Sequence, residues 1–213
     1  MSAEELPGRI SKEYINSLPI IKYEGQIRVI QRADELSDFI DNLPAGSVAG
    51  FDTETRPSFK SGESHSVALV QIALPDIVLL VQVQKVGLPV PLIKFFENPA
   101  IQKVGIGIKD DINKLTQIAA FTPAGFVDLS CIAEKKGIVQ TGVRGLAARY
   151  LNGRISKSAQ TSNWEKKNLT GKQQLYAATD AWACLMIYPL LLGDARDYHP
   201  LPEEAVNPLA VQQ

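Results

Sequence analysis

Asp52 and Glu54 stand two residues apart at the end of an apolar run, Val48-Ala49-Gly50-Phe51. Such a run reads as the end of a buried strand. Side chains along a strand alternate faces, so the two acids point the same way. Adjacent carboxylates repel one another and lose hydration. A hard divalent cation between them removes both problems, because Mg2+ and Mn2+ prefer carboxylate oxygens. The pair can equally be a solvated turn, so its meaning depends on acids elsewhere in the chain.

Two other places supply them. In Leu175-Tyr176-Ala177-Ala178-Thr179-Asp180, Tyr176 and Asp180 are four apart and share one helical face. Ala177, Ala178, Ala181 and Ala183 surround them, and small side chains let another backbone come close. A carboxylate in such a helix needs a partner or a metal, since burying it alone is costly. In Gly105-Ile106-Gly107-Ile108-Lys109-Asp110-Asp111 a strand hands over to a helix at two acids. One of them reads as a helix cap and the other as reaching inward. Four carboxylates at a common point are what two divalent cations require. Such a pair of ions stabilises the attacking and leaving oxygens of an in-line phosphoryl displacement.

The elements that must position these residues follow from periodicity and turn signals. Residues 1–25 read as an N-terminal arm packed on the domain. Ile27–Ile30 is a short strand, and Asp34 opens a helix with Leu36, Phe39, Ile40 and Leu43 on one face. Ser47–Thr53 is the central strand, and a polar loop covers 56–66. Strands at 67–74 and 77–83 flank the Pro75-Asp76 turn. A helix at 89–98, a strand at 101–108 and a helix from Asp110 or Asp111 through Ile118 come next. A brief strand at 126–129 leads into the Cys131 helix, and another helix spans 143–151. After a basic connector at 152–169, Thr170 and Gln173 form a capping box that opens a helix to about Leu192. The tail is 193–213. This order predicts an α/β fold with a mixed sheet flanked by helices, antiparallel in its first half and parallel in its second.

The 213 residues, 45% of them hydrophobic, suit a single domain with a sizeable core. No apolar run approaches the roughly 20 residues that span a bilayer, so no membrane is expected. The first ten residues carry no signal-peptide pattern. Cys131 and Cys184 both sit among apolar neighbours and read as core thiols in a reducing compartment. The expected location is therefore cytoplasmic. Net charge is only −1, but 135–175 holds nine Lys and Arg against Glu165 alone. An acidic body with one basic segment suits a protein that meets phosphates on one side.

FDTET, GIKDDINKL and YAATDAWACLMIY, in this order and spacing, resemble the motifs of the DEDD superfamily of 3′–5′ exonucleases. The similarity is to its tyrosine branch, which includes ribonuclease D-like proteins and the exonuclease domain of Werner helicase. It covers about residues 26–192, between the arm and the tail. The histidine branch has His five residues before its last Asp, where this chain has Leu175. Its histidines, His65 and His199, lie in a loop and in the tail.

The resemblance implies a ribonuclease H-like fold and a metal-dependent 3′–5′ exonuclease that releases nucleoside monophosphates from a 3′ end. It implies two divalent cations, Mg2+ or Mn2+, and a nucleic acid, DNA or RNA, with a free 3′ end that is single-stranded at the terminus. Asp52, Glu54, Asp111 and Asp180 match the metal-binding acids, and Tyr176 the base-assisting phenol. Asp52 would bridge both ions, Glu54 and Asp180 would hold the one beside the attacking water, and Asp111 would hold the other. Asp110 is then the neighbour or cap. Thr53, Lys109 and Phe59, in the loop after the first motif, are the candidate substrate contacts. Asn163-Trp164 also looks like the family, with Trp164 packing under the loop. The same fold can serve as a binding scaffold once its acids are replaced; here all of them are present.

Overall fold

The computed structural model describes residues 9–58, 62 and 64–193. Residues 1–8 of the arm, Phe59 and the tail beyond 193 lie outside the described residues. In chain order the elements are α1 (Lys12–Ser17), β1 (Gln26–Ile30), α2 (Asp34–Ile40), β2 (Val48–Thr55), β3 (Val67–Ala73), β4 (Ile77–Gln82) and α3 (Val83–Val86). They continue with α4 (Val90–Glu97), β5 (Gln102–Gly105), α5 (Lys109–Ile118), β6 (Phe126–Asp128), α6 (Leu129–Lys135), α7 (Val143–Tyr150) and α8 (Gly171–Leu192).

The six strands form one sheet in the order β1-β4-β3-β2-β5-β6. The loop at 56–66 and a tight turn after Ala73 make β2, β3 and β4 antiparallel neighbours, and helical crossovers make β2, β5 and β6 parallel ones. The edge strand departs from the expected antiparallel first half, because β1 pairs with β4 in parallel, Gln26 opposite Ile77 through Ile30 opposite Val81. The reason lies in the connection: α2 intervenes between β1 and β2, so β1 returns to no hairpin partner. It instead closes the open, apolar flank of β4, where Ile30 is fully buried.

Strand alternation sorts β2 into two faces. Phe51 points into the layer of α2, α4 and α5, packing with Leu36, Phe95, Phe96 and Leu115. Its ring meets Phe96 and Phe126 edge-on, at 5.9 and 5.3 Å between centroids. Burying one such ring is worth about 1.5–3 kcal/mol. The buried Lys103 on β5 closes this layer. Its Nζ donates to the carbonyls of Asn98 and Ile101 at 2.7 and 2.8 Å and lies 5.4 Å from the Phe95 ring. Gly50, Asp52 and Glu54 face the other way, toward α8.

α8 is apolar on most of its circumference because it is covered on most of it. Ala177, Ala178 and Ala181 pack on Leu69, Ala73 and Leu80 of the sheet. Ala183, Cys184, Ile187 and Leu191 pack against Leu129, Ala133 and Leu146 of α6 and α7. By length and composition this helix would also pass as membrane-crossing, contrary to the expectation that no such run exists. Its contacts are instead those of a core helix between sheet and helices. Thr170 and Gln173 cap its start reciprocally, as their spacing predicts.

Two glycines set the distances. A Cβ on Gly50 would stand 2.0 Å from the Ala181 carbonyl oxygen, so α8 rests directly on the β2 backbone. A Cβ on Gly105 would stand 2.6 Å from the Phe51 carbonyl oxygen, which lets the end of β5 close on β2. Cys184 is buried as expected, but Cys131 is exposed, on the outward side of α6. Trp164 is buried beneath the connector, as its apolar ring requires.

Because backbone cannot yield as a side-chain tip can, Gly50→Ala should destabilise by about 3 kcal/mol, at the upper end of overpacking costs. For a chain of this size that is a drop of about 6–12 °C in Tm. Calorimetry of the purified variant checks it; an unchanged Tm would mean that α8 does not depend on this contact.

Candidate metal and catalytic site

The side-chain alternation of β2 and the turn of α8 bring three acids together. Carboxylate oxygens of Asp52, Glu54 and Asp180 all lie within 4.8 Å of one another. Asp180 is 4% exposed, and its Oδ1 has no hydrogen-bond partner. One Asp52 oxygen accepts from the Thr53 amide at 2.9 Å. The ion pairs found among the described residues lie elsewhere: Arg28–Glu35, Arg32–Asp34 and Arg56–Glu165. None of these pairs involves Asp52, Glu54 or Asp180.

Electrostatics follow from this crowding. Burial, then the charges of Asp180 and Asp111, push Asp52 far above the ordinary carboxylate range. Burial, then the charges of Asp52, Asp180 and Asp111, raise Glu54 to about 10. Burial raises Asp180 to about 7, against a lowering by the hydrogen bond from the Tyr176 phenol. Tyr176 itself is pushed well above a free phenol by burial and by the negative charge of Asp180 and Glu54. An unpartnered buried oxygen within a set of carboxylate oxygens fits a hard divalent cation, which would supply the missing opposite charge.

Asp111 joins from a third element. It is half-buried in the first turn of α5, and its Oδ1 accepts from the Thr53 hydroxyl at 2.6 Å. It stands outside the group of three, yet its charge is felt by Asp52 and Glu54. Asp110 is exposed beside it. Neither acid caps the helix, since the N-cap is Ile108 and makes no side-chain bond. The turn is held from outside by Asp128, whose Oδ1 accepts from the Gly107 amide at 3.0 Å while capping α6 at Ser130. Gly107 takes a positive φ of 69° there, which glycine adopts freely.

Thr53, expected at the substrate, is nine-tenths buried, and its hydroxyl holds Asp111. Lys109 is exposed at the start of α5. Phe59 lies outside the described residues. Two residues at the site were not among those the sequence singled out. Asp128 could have been found as an Asp between a strand and a helix. Gln71 is fully buried opposite Asp52, with both amide atoms unpartnered; a lone Gln in the apolar strand Val67–Ala73 was its only sign. Ile106, Val143, Gln160 and Cys184 complete, with the three acids and Tyr176, a cavity of about 300 Å3. Trp164 stands behind Tyr176, ring centroids 6.0 Å apart, and Arg56–Glu165 at 3.6 Å ties the loop after β2 to the connector.

Acids from the central strand of a mixed sheet and from a helix laid across it, gathered beside a phenol, define a nuclease site on a ribonuclease H-like fold. The chain belongs to the 3′–5′ exonuclease family, whose pattern it matches over residues 27–194. It is 33% identical over 204 residues to the mouse bifunctional 3′-5′ exonuclease/ATP-dependent helicase WRN, covering 90% of this chain and 15% of that protein. It is 30% identical over 198 residues to a 3′-5′ exonuclease of Arabidopsis thaliana, covering 85% of this chain and 69% of that one. Escherichia coli RNase D shares the fold with a TM-score of 0.71 at 21% identity, covering 81% of this chain and 45% of that one. The Aedes aegypti Nibbler EXO domain does so with a TM-score of 0.68, also at 21% identity, covering 89% and 94%. The chain thus spans a small part of some relatives and most of others.

Raised carboxylate values carry a stability consequence. Unfolded, these acids titrate near about 4. Folded, Asp180 does so at about 7 and Glu54 at about 10. The native chain then holds more protons than the unfolded one across that window, so metal-free stability falls as pH rises through it. Thermal melts in chelator should show Tm decreasing from pH 5 to pH 9. Asp52→Asn should flatten that slope and raise Tm at pH 8. Added Mn2+ should raise Tm of the natural chain through mass action and leave the variant nearly unmoved. A variant that melts lower in chelator would show that the acids do not repel one another.

Proposed function

We propose that this chain is a metal-dependent 3′–5′ exonuclease that hydrolyses phosphodiester bonds at the free, single-stranded 3′ terminus of a nucleic acid. The observation that carries the reading is the three-acid cluster with an unpartnered Asp180 oxygen beside Tyr176. Asp52, Glu54 and Asp180 would hold one divalent cation, and Asp52 with Asp111 a second, Mg2+ or Mn2+. Two such ions lower the pKa of water and stabilise the charge that develops in phosphoryl displacement.

The protein's own groups do the rest. Tyr176, held neutral by burial and by the acids around it, is a poor proton acceptor at neutral pH. Its hydroxyl donates a hydrogen bond to Asp180, which leaves a lone pair of the phenol oxygen as an acceptor that orients an attacking water. Trp164 fixes the ring from behind. Thr53 fixes Asp111, and Asp128 fixes the turn that carries it. Ile106 and Val143 give the cavity an apolar wall that limits bulk water. Lys109, exposed at the start of the helix that carries Asp111, suits contact with the strand's phosphates. Two free thiols, one exposed and one buried, suit a reducing cytoplasmic setting.

With Mn2+ or Mg2+ and 5′-labelled single strands, the protein should produce a ladder shortening one nucleotide at a time. Asp52→Ala should leave the strand intact, and equal products from both proteins would end the hydrolytic reading. Tyr176→Phe should lower kcat by about 10²-fold, the low end of what a positioned proton-handling group contributes. It should keep the Mn2+-induced rise in Tm, since a phenol is not among the acids that hold the ion.

A further inference from the structure

A second cavity, of about 240 Å3, opens on the other side of Tyr176. Its walls come from three segments: the arm at Ile20, Ile21 and Lys22, the connector at Ile155, Ser156 and Ser158, and the first three turns of α8. The arm lies outside residues 27–194, the span matched by the exonuclease family. It is nevertheless built into place. Ile21 N donates to the Arg154 carbonyl at 3.0 Å, Arg154 N to Pro19 at 2.9 Å, and Arg154 Nε to Leu18 at 2.9 Å. A Cβ on Gly153 would stand 2.3 Å from the Ile21 side chain, so the connector is shaped to receive the arm. The Tyr23 amide then docks on Thr179 of α8 at 3.1 Å.

The chemistry of this cavity is divided. Ile20, Ile21, Ile155 and Leu175 offer an apolar surface, and Ile20 remains 53% exposed at its rim. Lys22 and Lys172 are both exposed and flank it, and no acid is among its lining residues. Lys172 sits in the first turn of a 22-residue helix, where the backbone dipole also favours an anion. An apolar plane with cations at its edge is the complement of a nucleotide, base against the plane and phosphate against the lysines. Lys172 is eight residues from Asp180 along one helix, about 12 Å at 1.5 Å per residue, which separates this site from the acids by a step of the strand and not by a domain.

We infer that the arm, the connector and α8 together form a subsite for a nucleotide of the bound strand beyond the one whose linkage is cleaved. The inference rests on the exonuclease reading, with Tyr176 as the wall common to both sites. The arm is then part of the substrate-binding surface.

The test measures binding, so it does not need catalysis. In an Asp52→Asn background, anisotropy of a labelled 10-mer single strand is followed against salt for the chain with and without Lys22→Gln and Lys172→Gln. The slope of log K against log salt should shrink by about 0.7 for each lysine removed, with Kd rising at least tenfold at 0.15 M salt. An unchanged slope and Kd would overturn the subsite. A loss as large for a nucleoside monophosphate as for the 10-mer would also overturn it, because the lysines would then serve the terminal nucleotide. In the active chain the same pair of substitutions should raise KM for the 10-mer with kcat within twofold, and a fall in kcat alone would count against it. If the natural chain cleaves nothing, the catalytic reading fails while the salt slope still decides the subsite.

Discussion

The Ala181 carbonyl of α8 lies where a side chain on Gly50 would stand, and this contact of backbone on backbone governs the molecule. Two layers normally keep a side chain's thickness between them. Here the layer of small residues, Gly50 on the strand and Ala177, Ala178 and Ala181 on the helix, removes that thickness. Only then can a short carboxylate on α8 meet two short carboxylates on β2. The site is thus a product of what was left out of the interface as much as of the acids placed in it.

The assembly that results is internally strained in charge. Three acids share a space that would suit one, and the groups around them hold position without neutralising them. Thr53 and Asp128 act on the α5 turn, Trp164 on the phenol and Gln71 on the floor opposite Asp52. The fold tolerates the repulsion because the aromatic layer around Phe51 and the apolar faces of α8 are extensive. Stability made at a distance from the acids holds them where cations are needed, which is the usual relation between a core and a demanding site.

Much of this was legible in the sequence, for identifiable reasons. Asp52 and Glu54 could be put on one face because strand periodicity is strict, and Asp180 beside Tyr176 because helical periodicity is. The capping box at Thr170 and Gln173 appears as its local chemistry dictates. What failed was non-local. The parallel pairing of β1 with β4 depends on which sheet edge remains open, which no stretch of residues states. The bond from Thr53 to Asp111 was not legible because the two are 58 residues apart. Cys131 read as buried because its neighbours are apolar, although the helix turns it outward. The arm's part in a cavity beside Tyr176 depends on contacts with Arg154 and Thr179, more than 130 residues distant.

The placement of Asp180 on α8 has a consequence for biosynthesis. All six strands precede residue 130, yet the sheet face carrying Leu69, Ala73 and Leu80 lacks its helical cover until α8 is made. A nascent chain emerging from the ribosome therefore presents that face to chaperones for the time it takes to translate some sixty further residues, several seconds at about 5–20 residues per second. Over the same interval the acidic trio is incomplete. Until α8 emerges, the chain cannot gather the groups that would attack a nucleic acid.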